Sequence, residues 1–240
     1  MVKYAPEDVS GMDLAEYQQI GSEINELLKL ENPPVAISFV DAPPKGTRKN
    51  EESAAAGCVF WIRGFEDNFY TDQKDHANCN IGSFTHGFLP PEKVSLDACA
   101  DIALFDKTGY FPASAFGGVP RMKEAPSFVA YGPLHKASFE PDVVLMVVNP
   151  AQAMLVGESA DNARLMGAPT CAAIPMSYND HQVGVSLGCV TNRIRTGIKP
   201  TEMVVTVPRD QLAGFTERLR ARAKANNEVS VAVTAMLKGI

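Results

Sequence analysis

A chain of 240 residues with 45% hydrophobic and 21% charged side chains can bury a substantial core. Its net charge of −6 argues against nucleic acid as a partner, because phosphate binding needs a basic surface. No apolar run approaches the roughly 20 residues that span a bilayer, and residues 1–13 lack the apolar stretch of a signal peptide, so the chain is expected to be cytoplasmic, with no membrane partner.

The first predicted element is a helix, because Leu14, Tyr17, Ile20, Ile24, Leu27 and Leu28 recur at three- and four-residue steps. Asp13 with Glu16 three residues on resembles a capping box, which places the start there. Pro33-Pro34 stops the helix and "VAISFV" (Val35–Val40) reads as a short buried strand, followed by a polar loop over 41–52. Residues 51–63, "EESAAAGCVFWIR", predict a second helix that carries Cys58 near Trp61, the only tryptophan. From there to about residue 125 short apolar pieces alternate with Gly, Pro and Asn, and no period is sustained. Residues 78–87 within it read as a loop.

Beyond residue 125 the pattern sharpens. "SFVAYGPL" (Ser127–Leu134) and "DVVLMVVN" (Asp142–Asn149) predict strands, the second covered on both faces. Asn149-Pro150 reads as an N-cap followed by Pro at the first helical position, opening a helix to about Leu165. "VGVSLG" (Val183–Gly188) and "EMVVTVP" (Glu202–Pro208) are two more strands. Helices over 209–224 and 228–238 close the chain, and the basic run Arg218–Lys224 lies on the solvated face of the first. Strands alternating with helices imply an α/β fold, a mixed sheet with helices packed on it. The whole of 1–240 is expected to form one domain, or two closely packed lobes meeting near residue 125.

Five cysteines, at 58, 79, 99, 171 and 189, are an odd and scattered set. In a cytoplasmic chain of this size they point to free thiols, metal ligands or catalytic groups rather than disulfides. Cys189 follows a buried strand directly, at the carboxyl end where ligands of open α/β sheets bind. Cys171 lies in the Gly/Pro-bounded stretch "GAPTCAAIP". Cys99 fits a helical stripe with Leu96, Ile102 and Ala103 and reads as core. Neither a C-x₂-C zinc pair nor a ferredoxin-type cysteine run is present. Dispersed ligands can still converge, so the residues alone leave a four-cysteine site open. His76, three residues before Cys79, and His86 leave a mixed Cys/His zinc site as the alternative.

The blocks "VAYGPLHKASFEPDVVLMVVNPAQAMLV" and "VSLGCVTNRIRTGIKPTEMVVTVP", with the earlier "PPVAI" at Pro33–Ile37, resemble the domain of unknown function 169 family, the archaeal conserved region family. The family has no settled activity to carry over. Its cysteines match Cys58, Cys79, Cys171 and Cys189, and the resemblance implies that these four hold an iron–sulfur site, most simply a [4Fe-4S] cluster. Two departures stand out: Asn80 replaces a proline after Cys79, and Gly188 replaces one before Cys189. On that reading Asn78 and Asn80 supply N–H donors toward the cluster, Gly82 allows close approach of the backbone, and Arg193 and Arg195 offset its charge or orient an anionic substrate. The expected function is a redox or cluster-based catalytic role, with a redox partner or a small-molecule substrate, and whether the protein is an enzyme stays open. The alternative is a structural or binding protein built on zinc or thiols.

Overall fold

The structure is a computed structural model that describes residues 12–239. Its α-helices and strands follow in chain order as α1 (Leu14–Leu28), β1 (Val35–Val40), β2 (Arg48–Lys49), α2 (Val59–Arg63), β3 (Phe69–Thr71), α3 (Asn80–Thr85) and α4 (Ala100–Thr108). They continue as β4 (Phe128–Pro133), β5 (Val143–Val148), α5 (Pro150–Ser159), β6 (Ala163–Met166), α6 (Ala173–Asp180), β7 (Val183–Ser186), α7 (Val190–Thr196), β8 (Met203–Pro208) and α8 (Leu212–Lys238). The fold is α/β.

One mixed sheet of eight strands runs β2-β3-β4-β1-β5-β8-β7-β6, and it draws strands from both sides of residue 125. The five inner pairings are antiparallel, while β2 with β3 and β6 with β7 form parallel pairs at the two edges. Successive side chains along a strand point to opposite faces, so each inner strand serves two cores. Ala36, Val144, Met146, Val205 and Val207 pack against Tyr17, Ile24, Val156 and Phe215 of α1, α5 and α8. The alternate residues Val35, Ile37, Leu145 and Val204 meet Phe60, Trp61, Tyr131 and Ile174 on the other side. A third cluster sits beyond the second, where Ile81, Phe84, Cys99, Ile102, Phe105 and Phe116 surround the ground on which the site is built.

Helix α1 begins as the sequence predicts, with the full capping box of Asp13 and Glu16. Asn149 caps α5 in the same manner, with Gln152 as its reciprocal partner. Four expectations need correction. Residues 51–58 are not helical: Arg63 donates to the carbonyls of Glu52 and Ser53, and Asn78 donates to that of Ala54, so side chains take the acceptors that a helix would use. Helix α5 stops at Ser159 rather than Leu165, because the turn formers Asp161 and Asn162 intervene and the Asn162 amide ties back to the His181 carbonyl. Residues 163–166 then join the sheet as an edge strand too short for a periodic signal. Finally, residues 212–238 are one helix instead of two, since the modest cost of Asn226 and Asn227 inside a helix is smaller than that of nucleating a second one. Residues 78–87 include the helix α3, and Ile81 to Phe84 are buried, so the predicted loop is a packed element.

Candidate metal centre

The site begins with the chain turns that start short helices. Cys79 is the N-cap residue of α3, and its sulfur accepts the Gly82 N–H at 3.2 Å. Cys189 is the N-cap of α7 and accepts the Asn192 N–H at 3.4 Å, with the Thr191 hydroxyl also 3.4 Å away. Cys58 occupies the N-cap position of α2, but its sulfur accepts no N–H from that helix. An N-cap side chain satisfies backbone N–H groups that the helix leaves unpaired, a place ordinarily taken by Ser, Thr, Asp or Asn. A sulfur there sits at the positive end of the helix, which favours its anionic form. Cys171 arrives differently, in the single 3₁₀ turn Thr170–Ala172 that leads into α6.

These four cysteines, delivered by four separate segments, line one pocket. Cys99 does not reach it: that thiol is 1% exposed and directed at the Lys93 carbonyl, 3.7 Å away. It is core, as the sequence suggests, although Leu96 of the proposed stripe is 47% exposed and the helix begins only after Cys99.

The thiols differ in charge preference. Burial raises Cys58 to about 12, against the favourable Asn192 amide and with a further push from the neighbouring Cys79 and Cys189. Burial also puts Cys171 well above the usual thiol range, and the charge of Cys79 adds to it. Cys79 is raised by burial too, despite the N–H groups of Gly82 and Gly57. Cys189 is the exception: burial alone would raise it, but Thr170, Thr191 and the Asn192 N–H together outweigh burial and set it low. Four thiolates packed together are mutually repulsive, and bound cationic metal removes that penalty.

A second observation tests the fit of such a group. Trp61 Nε1, Thr170 Oγ1, His86 Nε2 and both carboxamide atoms of Asn192 are buried without a hydrogen-bond partner of ordinary geometry. All four residues line the pocket that the cysteines line. Buried polar atoms without partners are rare and call for an explanation. Donors such as the indole N–H and the Asn192 amide suit the sulfides of a cluster. Among the described residues no three Cys, His, Asp or Glu side chains stand close enough to hold a single metal ion.

The model of the DUF169 family, described as uncharacterised ArCR, matches residues 23–218. The chain belongs to this family. An uncharacterised protein of Methanocaldococcus jannaschii is 24% identical over 230 residues, covering 87% of this chain and 95% of that one. No solved structure matches.

Several roles expected of this DUF169 chain need revision. The Asn78 amide is spent on the Ala54 carbonyl, and the N–H donors to Cys79 are those of Gly82 and Gly57. Gly82 does permit close approach, since a Cβ there would stand 3.2 Å from the Cys79 sulfur. Gly188 has φ +91°, a value closed to proline, and Arg193 lies over it. His76 does not line the pocket. Its Nε2 instead meets Thr71 Oγ1 at 3.0 Å. His86 does line the pocket; its Nδ1 donates to the Gly82 carbonyl at 2.9 Å, which leaves Nε2 with a bare lone pair. Burial holds both rings neutral, with His86 lowered to about 4 and His76 well below its ordinary value. Trp61, Thr170 and Asn192 escaped sequence reasoning. For Asn192 a signal existed: it stands three residues after Cys189, as Gly82 stands three after Cys79, the spacing of a side-chain cap.

Proposed function

We propose that this protein binds one [4Fe-4S] cluster through Cys58, Cys79, Cys171 and Cys189, and that it serves in electron transfer or cluster-based chemistry. The observation that carries this reading is the coincidence of two sets in one pocket: four cysteines from distant segments, and the buried polar atoms Trp61 Nε1, His86 Nε2, Thr170 Oγ1 and the Asn192 carboxamide, which bond no nitrogen or oxygen of the protein and, for Thr170 and Asn192, have cysteine sulfurs as neighbours. Such a cluster exchanges single electrons, or offers an open iron as a Lewis acid when one thiolate is withheld.

The chain's own residues divide the work of holding it. Cys189, whose thiol Thr170, Thr191 and the Asn192 N–H hold below its ordinary value, gives up its proton more readily than Cys58, Cys79 or Cys171. Cys58 and Cys171, the two thiols driven highest by burial, gain most from a cation and release their protons on binding. The N–H groups of Gly82 and Asn192 keep their sulfurs oriented toward the pocket. Trp61 and the apolar residues around it exclude water from the inner wall.

The test is iron and acid-labile sulfide content of protein purified without oxygen, on wild type and on the four single Cys→Ser variants. About four irons and four sulfides per chain in wild type, lost in each variant together with thermal stability, is the expected outcome. Zinc without sulfide, or iron retained in all four variants, refutes the assignment.

A further inference from the structure

Two arginines follow Cys189 within seven residues, and the fold puts them to different uses. Arg193 donates to the carbonyls of Lys199, Leu187 and Glu202, so its charge is spent on the connection between β7 and β8. Arg195 lines the pocket instead. Its Nη1 is 3.8 Å from the Cys79 sulfur, while Nη2 is 3.1 Å from Asp101 Oδ1 and Nη1 is 3.5 Å from Oδ2. The Arg195 and Asp101 side chains are only 24% and 19% exposed, so this is not an ordinary solvated surface pair.

Both groups are anchored independently of any guest. Asp101 stands in the first turn of α4 and Arg195 in the last turn of α7, each at the helix end that favours its charge. The guanidinium is therefore held between a fixed carboxylate and the one ligand sulfur it touches. We propose that Arg195 is a positioning residue that stabilises negative charge on the Cys79 side of the metal centre, with Asp101 as its counterweight. The inference rests on the cluster reading. If a one-electron donor such as dithionite reduced a bound centre, one electron would be added and no bond broken, so a nearby cation would favour the reduced form and a nearby anion would oppose it.

The experiment is a dithionite redox titration of the anaerobically purified full chain, followed by visible absorbance, on wild type, Arg195→Gln, Arg195→Lys and Asp101→Asn. Arg195→Gln should lower the ratio of reduced to oxidised centre at least tenfold at fixed potential, which is 59 mV for one electron. Arg195→Lys, which keeps the charge, should recover most of that loss, and Asp101→Asn should move the ratio the opposite way. A merely structural role would not yield shifts of opposite sign from the two partners. A cluster-loaded Arg195→Gln with unchanged potential overturns this inference alone. If that variant holds no cluster, Asp101→Asn decides, a rise in potential supporting the proposal and no change overturning it. A wild type that carries no iron and sulfide overturns the cluster reading and this one with it.

Discussion

His86 is a buried neutral base beside the pocket, and acid should expose that through stability. Its ring is 1% exposed, its Nδ1 proton is held by the Gly82 carbonyl, and burial lowers its pKa from 6.5 to about 4. Because the folded pKa lies below the unfolded one, the unfolded chain binds the extra proton throughout the window between them. The contribution of the neutral ring is therefore fully present above pH 6.5 and is lost as pH falls toward 4. At about 1.36 kcal/mol per unit, the full loss is roughly 3 kcal/mol, of which about 2 kcal/mol is gone by pH 5. Urea unfolding of metal-free, reduced protein at pH 7 and pH 5 gives the measurement, with His86→Gln as the comparison. The carboxylates contribute below pH 5 and are common to the two proteins, while the His86 charge is one of the causes that lowers His76, so the difference between them reports His86 together with its coupling to His76. The stability gap between wild type and variant should shrink by about 2 kcal/mol on going to pH 5. A gap constant within about half a kcal/mol would mean that His86 is solvated or charged in the folded protein, and the reasoning from burial would fail.

Two further substitutions probe the surroundings of the pocket. Cys99→Ala should leave iron content unchanged and cost about 1 kcal/mol in urea unfolding, the price of a small core truncation; loss of half the iron would show that the fifth thiol belongs to the site. Gly188→Ala places a Cβ on a backbone at φ +91° and 2.9 Å from an Arg193 nitrogen, so it should cost about 1–3 kcal/mol and lower metal content by shifting Cys189. An unaltered melting temperature with full metal content would show that the turn tolerates a side chain.

The legible parts of the fold were those governed by one strong local rule. Asp13 with Glu16 and Asn149 with Pro150 mark helix starts because caps act over three residues. Val143–Val148 is a continuous apolar run because the strand lies at the centre of the sheet with a core on each face. Where side chains from elsewhere claim the backbone acceptors, as Arg63 and Asn78 do for residues 52–54, no local pattern reports it. The edge strand 163–166 was hidden for a related reason: its partner is β7, and its residues are mostly exposed, so nothing in its own composition alternates. For the site, the resemblance pointed to four cysteines. It was silent on Trp61, Thr170 and Asn192, whose significance lies in what they fail to bond within the folded chain.

The strand order has a temporal consequence. Cys189 follows β7, and β7 reaches the sheet only through β8, which lies between it and β5. A chain emerging from the ribosome therefore presents Cys58, Cys79 and Cys171 before the wall that carries Cys189 can dock, and that wall waits for Pro208. At about 5–20 residues per second, the interval from Cys58 to Pro208 lasts roughly 8–30 s. During it the early thiols have no completed pocket, and a metal arriving then meets unassembled ligands open to oxidation or to the wrong ion. If the four cysteines hold a metal centre as proposed, order of synthesis places its loading after the sheet is whole, as the last event of maturation rather than the seed of folding.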